Sequence, residues 1–425
     1  MRSTLFYIPH EILGLPLLGV GWLLLVLIIG CVIWSIQQAR LGRLGSELSG
    51  ALPVWLIAAT LIIFVLPQIE SHWPDGQPVG LPVRGYGILV LLGLFSGIGL
   101  TVWRGKQVGL GAEQIVSLGF WMMLGGVVGA RLFFVVQYWE TFDSMPLGTR
   151  LLSIVKLTEG GLVIYGGMLG GAVAGGLFCW RYGQPMFATA DLIAPGFLIG
   201  LAFGRIGCLL NGCCFGGMCT AELPTIQFPQ GSPPYVAQVE NGQLFGLKLD
   251  EQHGWPPRIL TVEPDSIAAT DFSAEPGMIY EQSNRSLPPQ PDIDDPARTH
   301  ALTANVGIGD KERFFTPEEL PKWSRPVHPS QIYSAVDAGL LCMLILCIQP
   351  WVFRDGQAFL LAIVLHGIAR FTLEFIRSDE AGQFGTVLTI SQWISLVGGL
   401  SALVLLLYSL SLPRRRVWTF QPTGA

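Results

Sequence analysis

Long apolar runs separated by short polar breaks recur along most of this chain, and one long polar stretch interrupts them. Crossing a bilayer core of roughly 30 Å takes about 20 apolar residues in a helix. On that measure the runs predict nine spanning helices, at about 13–36, 51–67, 86–103, 115–138, 161–180, 186–210, 331–353, 357–376 and 386–411. Between the sixth and seventh lies a polar insert from Met218 to Val327, rich in Pro, Asp and Glu. The pattern therefore predicts an all-α polytopic membrane protein in four segments. These are an N-terminal pair of helices (1–67), the first part of a helical core (68–217), the insert (218–327) and the second part of the core (328–425).

Composition agrees. Of 425 residues only 13% are charged, against roughly a quarter in soluble domains, and the mean hydropathy is +0.51. A soluble globular protein is excluded. The net charge of -5 carries little information, because the acids gather in the insert. The first apolar run is too long for a signal-peptide core and lacks a small-x-small cleavage site, so it reads as a retained helix. Arg40, Arg43, Arg104, Lys106, Arg181, Arg354, Arg414, Arg415 and Arg416 all fall on one side of a nine-span arrangement. The short segments of the other side hold Arg2, Arg84, Arg150, Lys156 and Arg377. Positive charge favours the cytoplasmic side, which predicts a cytoplasmic C-terminus, with the N-terminus and the insert outside.

The polar residues inside the spans are the next signal. At about 1.5 Å of rise per residue, Arg370 lies roughly 20 Å across from the cytoplasmic end of its helix, and Glu374 and Arg131 roughly 25 Å across. Arg205 sits near the outer end of span six, Tyr86 opens span three from outside, and Tyr165 lies one turn into span five. All converge on the outer third of the bilayer. Charges at such depth are costly and face a partner or a wet cavity. Arg370 and Glu374, four apart on one helix, can pair, and an ion pair alone would account for both. Arg131 and Arg205 change this: three arginines against one intramembrane glutamate leave positive charge over, and an anion is the complement. Arginine grips phosphate through a planar fork of donors, so a phospholipid headgroup is the expected ligand.

Gly166, Gly167, Gly170, Gly171, Gly175 and Gly176 form a small-residue face that predicts close helix packing. Gly204, Gly207, Gly212 and Gly216 lie in a polar-interrupted stretch instead, with Gly216 the candidate for close backbone approach to a ligand. His328-Pro329-Ser330-Gln331 starts span seven, with Pro329 suited to a first helical turn. It is either a capped helix entry or a headgroup contact through His328. Cys31, Cys179, Cys342 and Cys347 lie in apolar runs and read as core residues. Cys208, Cys213, Cys214 and Cys219 crowd together. Outside the cytoplasm a disulfide is the first expectation, with Cys208 or Cys219 pairing one of the adjacent two. A metal site comes second, since the spacing is not the usual C-x2-C, and a nucleophile third.

At Gly204-Arg205-Ile206-Gly207-Cys208-Leu209-Leu210-Asn211-Gly212-Cys213-Cys214-Phe215-Gly216 the chain resembles the prolipoprotein diacylglyceryl transferases, whose signature is like G-R-I-G-N-F-I-N-G-E-x-x-G. Other family-like pieces follow in order: Pro82-Val83-Arg84-Gly85-Tyr86-Gly87, Gly129-Ala130-Arg131-Leu132, Gly160-Gly161-Leu162-Val163-Ile164-Tyr165-Gly166-Gly167, His328-Pro329-Ser330-Gln331-Ile332-Tyr333 and Arg370-Phe371-Thr372-Leu373-Glu374-Phe375-Ile376-Arg377. They cover spans three to nine, the seven-helix core of the family, to which the first two helices are an addition. The resemblance implies a bacterial inner-membrane enzyme that moves diacylglycerol from phosphatidylglycerol to the lipobox cysteine of a prolipoprotein signal peptide. A thioether forms and glycerol phosphate leaves. Membrane lipid and precursor are the implied partners; no cofactor, resident metal or nucleic acid is.

On this reading Arg205, Arg370, Glu374 and Tyr165 are catalytic, and Tyr86, Arg131, Asn211, Gly216 and His328 bind substrate. Arg205 and Arg370 hold the phosphate as charge builds on it, and Glu374 orients Arg370 or helps take the thiol proton. Three positions depart from the family. Tyr165 replaces a histidine, and a phenol with a pKa near 10 is a poor base at neutral pH. Cys208 replaces an asparagine and Cys213 a glutamate. The departures leave the base unassigned and keep open a relative that binds lipid or precursor without turnover. A transporter is disfavoured for want of an inverted repeat. Within the insert, Arg258-Ile259-Leu260-Thr261-Val262-Glu263-Pro264-Asp265-Ser266-Ile267-Ala268-Ala269 resembles part of a PDZ domain, where an extended peptide adds as a strand. The alternative is an irregular polar loop.

Overall fold

The computed structural model describes residues 4–42, 44–72, 77–143, 146–155, 161–219, 224–250, 256–286, 302–377, 382–383 and 385–418. Arg2, Arg43, Lys156 and Gly160 of the sequence argument lie outside them. In chain order the helices are α1 (Trp22–Arg40), α2 (Leu44–Thr60), α3 (Gly85–Gln107), α4 (Ala112–Gln137), α5 (Trp139–Asp143), α6 (Leu147–Val155), α7 (Ile164–Arg181), α8 (Met186–Asn211), α9 (Pro233–Glu240), α10 (Ile267–Phe272), α11 (Ser330–Ile348), α12 (Gln357–Glu374) and α13 (Ile390–Leu410). The strands are β1 (Thr4–Pro9), β2 (Glu11–Ile12), β3 (Leu15–Pro16), β4 (Ser71–His72), β5 (Pro78–Arg84), β6 (Leu247–Asp250), β7 (Arg258–Val262), β8 (Tyr280–Ser286), β9 (Leu302–Ile308) and β10 (Lys311–Phe315). Two compact units result, Met1–Ile88 with Gly207–Pro329, and Leu89–Ile206 with Ser330–Ala425.

Among the described residues eight helices are long and apolar enough to cross a membrane. The chain is a multi-pass membrane protein. The remaining predicted span, the fifth, is α7; it is helical over 18 residues, but its glycines dilute its apolarity. The first span starts at Trp22 rather than near Leu13, and this corrects the sequence reading. Leu13 and Gly14 both take left-handed backbone angles and turn β2 back onto β3. β1 then pairs with the distant β5. Pro16 and the glycines around it break the apolar run before a helix can begin.

The insert, read from sequence either as a PDZ-like module or as an irregular loop, is folded over its described residues around a core of its own. Tyr235, Phe245, Ile259, Tyr280, Val306 and Phe315 are among its fully buried side chains. β8, β9 and β10 form an antiparallel sheet, and inward and outward positions alternate strictly along β9. Buried hydroxyls are satisfied by carbonyls: Tyr235 donates to Pro321 at 2.7 Å and Tyr280 to Val239 at 2.5 Å. Burial also pushes both phenols above their ordinary pKa. The PDZ-like segment is β7, a turn, and α10, with Ser266 capping the helix through the Ala269 N–H at 3.3 Å.

In the other unit, glycines let helix backbones touch. A Cβ on Gly125, Gly129, Gly166 or Gly170 would strike the facing helix across the α4–α7 contact. Gly93 and Gly97 of α3 meet Gly200 and Gly196 of α8 in the same way. Each pair is a small-xxx-small repeat. A polar staple fixes the other end of these helices. Pro195 has no N–H, so the Asp191 carbonyl one turn earlier in α8 lacks its helical donor. Gln349 Nε2 donates to it at 2.9 Å, and Arg104 reaches it at 3.4 Å and the Leu192 carbonyl at 2.8 Å. The Asp191 carboxylate accepts the Gly356 and Phe359 N–H groups at 2.7 and 2.8 Å, which caps the start of α12. Arg104, counted from sequence as a loop charge, is only 3% exposed.

Gly170→Ala should destabilise the detergent-purified protein by about 1–3 kcal/mol through overpacking against the Gly125 carbonyl, seen as a lower thermal midpoint. Gly99→Ala, whose Cβ meets open space, should show no loss.

Candidate active site

α12 presents His366, Arg370 and Glu374 at four-residue intervals, so the three share one helix face. Glu374 is 3% exposed, and a carboxylate so buried needs full pairing. It receives that pairing from three directions. Arg370 Nη1 bonds Oε2, Thr389 donates its hydroxyl to Oε1 at 2.9 Å, and Arg377 Nη1 stands 3.6 Å from Oε2. Thr389 is placed by a capping box at the start of α13. Its Oγ1 accepts the Gln392 N–H at 3.2 Å, and its own N–H donates to Gln392 Oε1 at 3.0 Å. Two residues on, Ser391 Oγ accepts from Arg370 Nη2 at 2.9 Å and shares a 3.0 Å hydrogen bond with Tyr165 OH from α7. The result is a continuous chain from Tyr165 through Ser391 and Arg370 to Glu374 and Thr389.

Arg205 of α8 is half-buried and, among the described residues, makes no hydrogen bond or ion pair. It lies close enough to Arg370 and His366 for their charges to interact. Arg370 and Arg377 thus share the Glu374 carboxylate. Arg131, from α4, directs its guanidinium at the backbone before α7. Nε donates to Ile154 O at 2.8 Å, Nη1 to Gly161 O at 3.0 Å and Nη2 to Ser153 O at 2.5 Å. Its ring neighbour is Phe134, 5.2 Å from the guanidinium carbon to the centroid. Nor is Glu374 the only acid in these helices. Asp191 and Asp337 also lie within spanning segments, and the count of one glutamate overlooked both.

The remaining predicted residues belong to the other unit. Asn211 is the last residue of α8. Gly212, at φ +75°, supplies the left-handed residue that ends a helix. The chain then folds back, and the Cys213 N–H donates to Cys208 O at 3.1 Å. Cys214 adopts φ +57°, uncommon for a residue with a Cβ. The sulfurs of Cys208, Cys213 and Cys214 lie within 4.8 Å of one another; Cys219 is outside this trio. Gly216 gives close approach, but its neighbour is protein: a Cβ there would lie 2.6 Å from the His328 Cβ. The Gly216 N–H donates to His328 O at 3.1 Å, and the His328 N–H to Gly217 O at 3.0 Å. Bridges from Val327 to Met218 and Ile226 complete a clamp that closes the two ends of the insert. His328 Nδ1 is buried without a partner among the described residues. Tyr86 opens α3 directly after β5 and is exposed.

Sequence reasoning missed Arg377, Thr389, Ser391, His366 and Asp337. The capping box Thr389-x-x-Gln392 was visible as a helix start, and His366 stands one turn before Arg370. Ser391 and Asp337 gave no signal of their own.

A profile of the prolipoprotein diacylglyceryl transferases matches residues 77–408. The chain belongs to that family. A phosphatidylglycerol–prolipoprotein diacylglyceryl transferase of Rhodopirellula baltica is 36% identical over 443 residues, covering 96% of this chain and 89% of its own. That alignment leaves out too little to exclude either the N-terminal helices or the insert. Transferases of the same name from Clostridium tetani (24% identical; 75% of this chain, 89% of its own) and Deinococcus radiodurans (39%; 31% of this chain, 38% of its own) are also similar.

Removing the Glu374 carboxylate strands two buried guanidiniums, and Glu374→Ala should cost about 3–5 kcal/mol. Arg205→Ala breaks no pairing and should leave the thermal midpoint unchanged or raised. Thermal unfolding of both variants in one detergent checks the contrast.

Proposed function

We propose that this protein transfers diacylglycerol from phosphatidylglycerol to the lipobox cysteine thiol of a prolipoprotein, releasing glycerol phosphate. The observation that carries this reading is Arg205: a guanidinium without a hydrogen bond or ion pair among the described residues, beside an Arg370 whose geometry is fixed by Glu374 and Ser391. A cation kept idle at this depth costs stability unless an anion meets it. The phosphodiester of an anionic lipid supplies that anion, and a family of diacylglyceryl transferases supplies the chemistry.

The thiolate is the nucleophile in such a reaction. It attacks the glyceryl carbon next to the phosphate ester; the sulfur–carbon bond forms as the carbon–oxygen bond breaks, and the electron pair leaves on the phosphate. Arg205 and Arg370 face that developing charge, and donors fixed beforehand need not reorganise during the step. Glu374 acts by orienting Arg370. Both its oxygens are engaged, so taking a proton would undo the clamp. Tyr165 and Ser391 hold the other edge of the same guanidinium. Arg131 shapes the entry to α7 by donating to the carbonyls of Ser153, Ile154 and Gly161. In the other unit, Tyr86, Asn211 and His328 bear on headgroup or precursor, and Gly216 serves the clamp against His328. The charge bias orients the N-terminus and insert outward from the bacterial inner membrane, with the C-terminus in the cytoplasm.

Purified protein with labelled phosphatidylglycerol and a lipobox peptide should yield a thioether-linked peptide. Arg205→Ala and Arg370→Ala should each lower turnover by about 10²–10³-fold while the protein still accumulates in the membrane. Lipid binding without product in the wild type would favour a non-catalytic relative, the reading that the Tyr165, Cys208 and Cys213 departures keep in play.

A further inference from the structure

The transfer needs a proton acceptor. Glu374 is held by hydrogen bonds from Arg370 and Thr389 with the Arg377 guanidinium 3.6 Å away, and the Tyr165 hydroxyl is engaged with Ser391. His366 is in neither position. It lies one turn before Arg370 on the same face of α12, about 6 Å along the axis. Its Nδ1 is buried and has no hydrogen-bond partner among the described residues. The nearest carboxylate oxygen, Asp337 Oδ2 from α11, is 3.9 Å away. The charged groups facing the imidazole are Asp337 from α11, Arg205 from α8 and Arg370 from α12 itself.

We infer that His366 is the general base that takes the proton from the acceptor thiol, with Asp337 as its positioning residue. At 3.9 Å, Asp337 reaches Nδ1–H through one water or a small side-chain rotation. That tautomer leaves the Nε2 lone pair free. A spacing of about 6 Å along the helix suits a phosphate on Arg370 and an incoming sulfur beside His366, since reacting atoms approach within about 3–3.5 Å. The proton passes from sulfur to Nε2, the thiolate displaces the phosphate ester, and the imidazolium returns its proton to the departing phosphate or to water. Nothing is oxidised or reduced.

The assignment rests on the transferase reading, and the test separates the two. If wild-type protein makes no thioether product, the transferase reading fails before His366 is tested. If wild type is active, His366→Gln should lower turnover about 10²–10⁴-fold with little change in the KM for phosphatidylglycerol. The variant's residual rate should rise with pH as the peptide thiol ionises, without the wild type's imidazole-dependent limb. Asp337→Asn should lower turnover less and displace that limb. Turnover of His366→Gln within threefold of wild type, or an unchanged pH profile in a slowed variant, would overturn the assignment.

A separate observation concerns the other unit. The chain reversal at Gly212 and the left-handed backbone at Cys214 bring the Cys208, Cys213 and Cys214 sulfurs within 4.8 Å of one another. A disulfide uses two of these and leaves the third, whereas a thiophilic d10 ion uses all three. The geometry points to a thiolate metal site for Zn(II) or Cu(I), formed as the three thiols give up their protons. Full-length protein, purified reduced, should bind one equivalent of either Zn(II) or Cu(I) added alone. Elemental analysis counts the metal, and X-ray absorption should find sulfur neighbours, at about 2.3 Å for zinc. Four coordination would indicate zinc and three Cu(I). Binding should be lost in Cys208→Ser, Cys213→Ser and Cys214→Ser but kept in Cys347→Ser. Failure to bind either ion, or binding unaffected by the three serines, overturns the site. So does a disulfide among the three in protein isolated without reductant, shown by mass spectrometry, that re-forms in preference to metal binding.

Discussion

A carboxylate that is almost wholly buried in a membrane helix holds this structure's chemistry in place. Glu374 would be too costly to ionise alone, and each interaction that makes it tolerable also fixes something else. Arg370 pairs with it and thereby loses its rotamer freedom. Thr389 bonds it while capping α13, so the start of that helix is set relative to the end of α12. Arg377 adds a second guanidinium to the same carboxylate. Replacing such a cluster by apolar side chains is often neutral or favourable for stability alone. Its value here lies in pointing Arg370 in one direction. Arg205 has no such tether among the described residues, which is what the proposed phosphate role requires of it.

That precision depends on helices that do not slide. Backbone contacts between glycines set α3 against α8 and α4 against α7 at distances that no side chain could fill. The staple at the opposite end acts along the helix axes. A proline in α8 leaves a carbonyl without its donor; Gln349 and Arg104 occupy it, and the neighbouring carboxylate of Asp191 caps α12. These are polar groups satisfied inside an apolar medium, where the alternative of hydrogen bonding to water is absent. The cost of breaking them is correspondingly high. The end of α12 that carries Arg370 and Glu374 is therefore positioned from both its termini.

Much of this was legible from residue order. Span positions followed from apolar run length, and the pairing of Arg370 with Glu374 followed from helical periodicity. The motifs that carry the family resemblance fall in both units. What escaped had physical causes. The residues around Pro16 have enough apolar character to read as helix, yet they fold back as a tight hairpin, and the strand just before them pairs some seventy positions away, a relation that local pattern does not encode. The insert left two readings open because its core is built from many short, separated apolar positions. Arg131 was recognised as intramembrane, but its engagement with three carbonyls depends on a loop that sequence could not place. The acids Asp191 and Asp337 were hidden by the runs that contain them.

The departures from the family pattern are most informative taken together. Where the relatives' histidine is expected, this chain has Tyr165, and its hydroxyl is bound to Ser391, which in turn holds Arg370. A phenol there supports the guanidinium and offers no free base. An imidazole nonetheless appears in the same unit, on the helix that carries Arg370 and one turn away from it. The same kinds of group, a hydrogen-bonding ring beside the clamp and an imidazole one turn from Arg370, are thus present in a different distribution over two helices. On the proposed assignment the exchange leaves Arg205, Arg370 and Glu374 in place, and Tyr165 has no proton to accept: its hydroxyl bonds Ser391, which in turn accepts from Arg370.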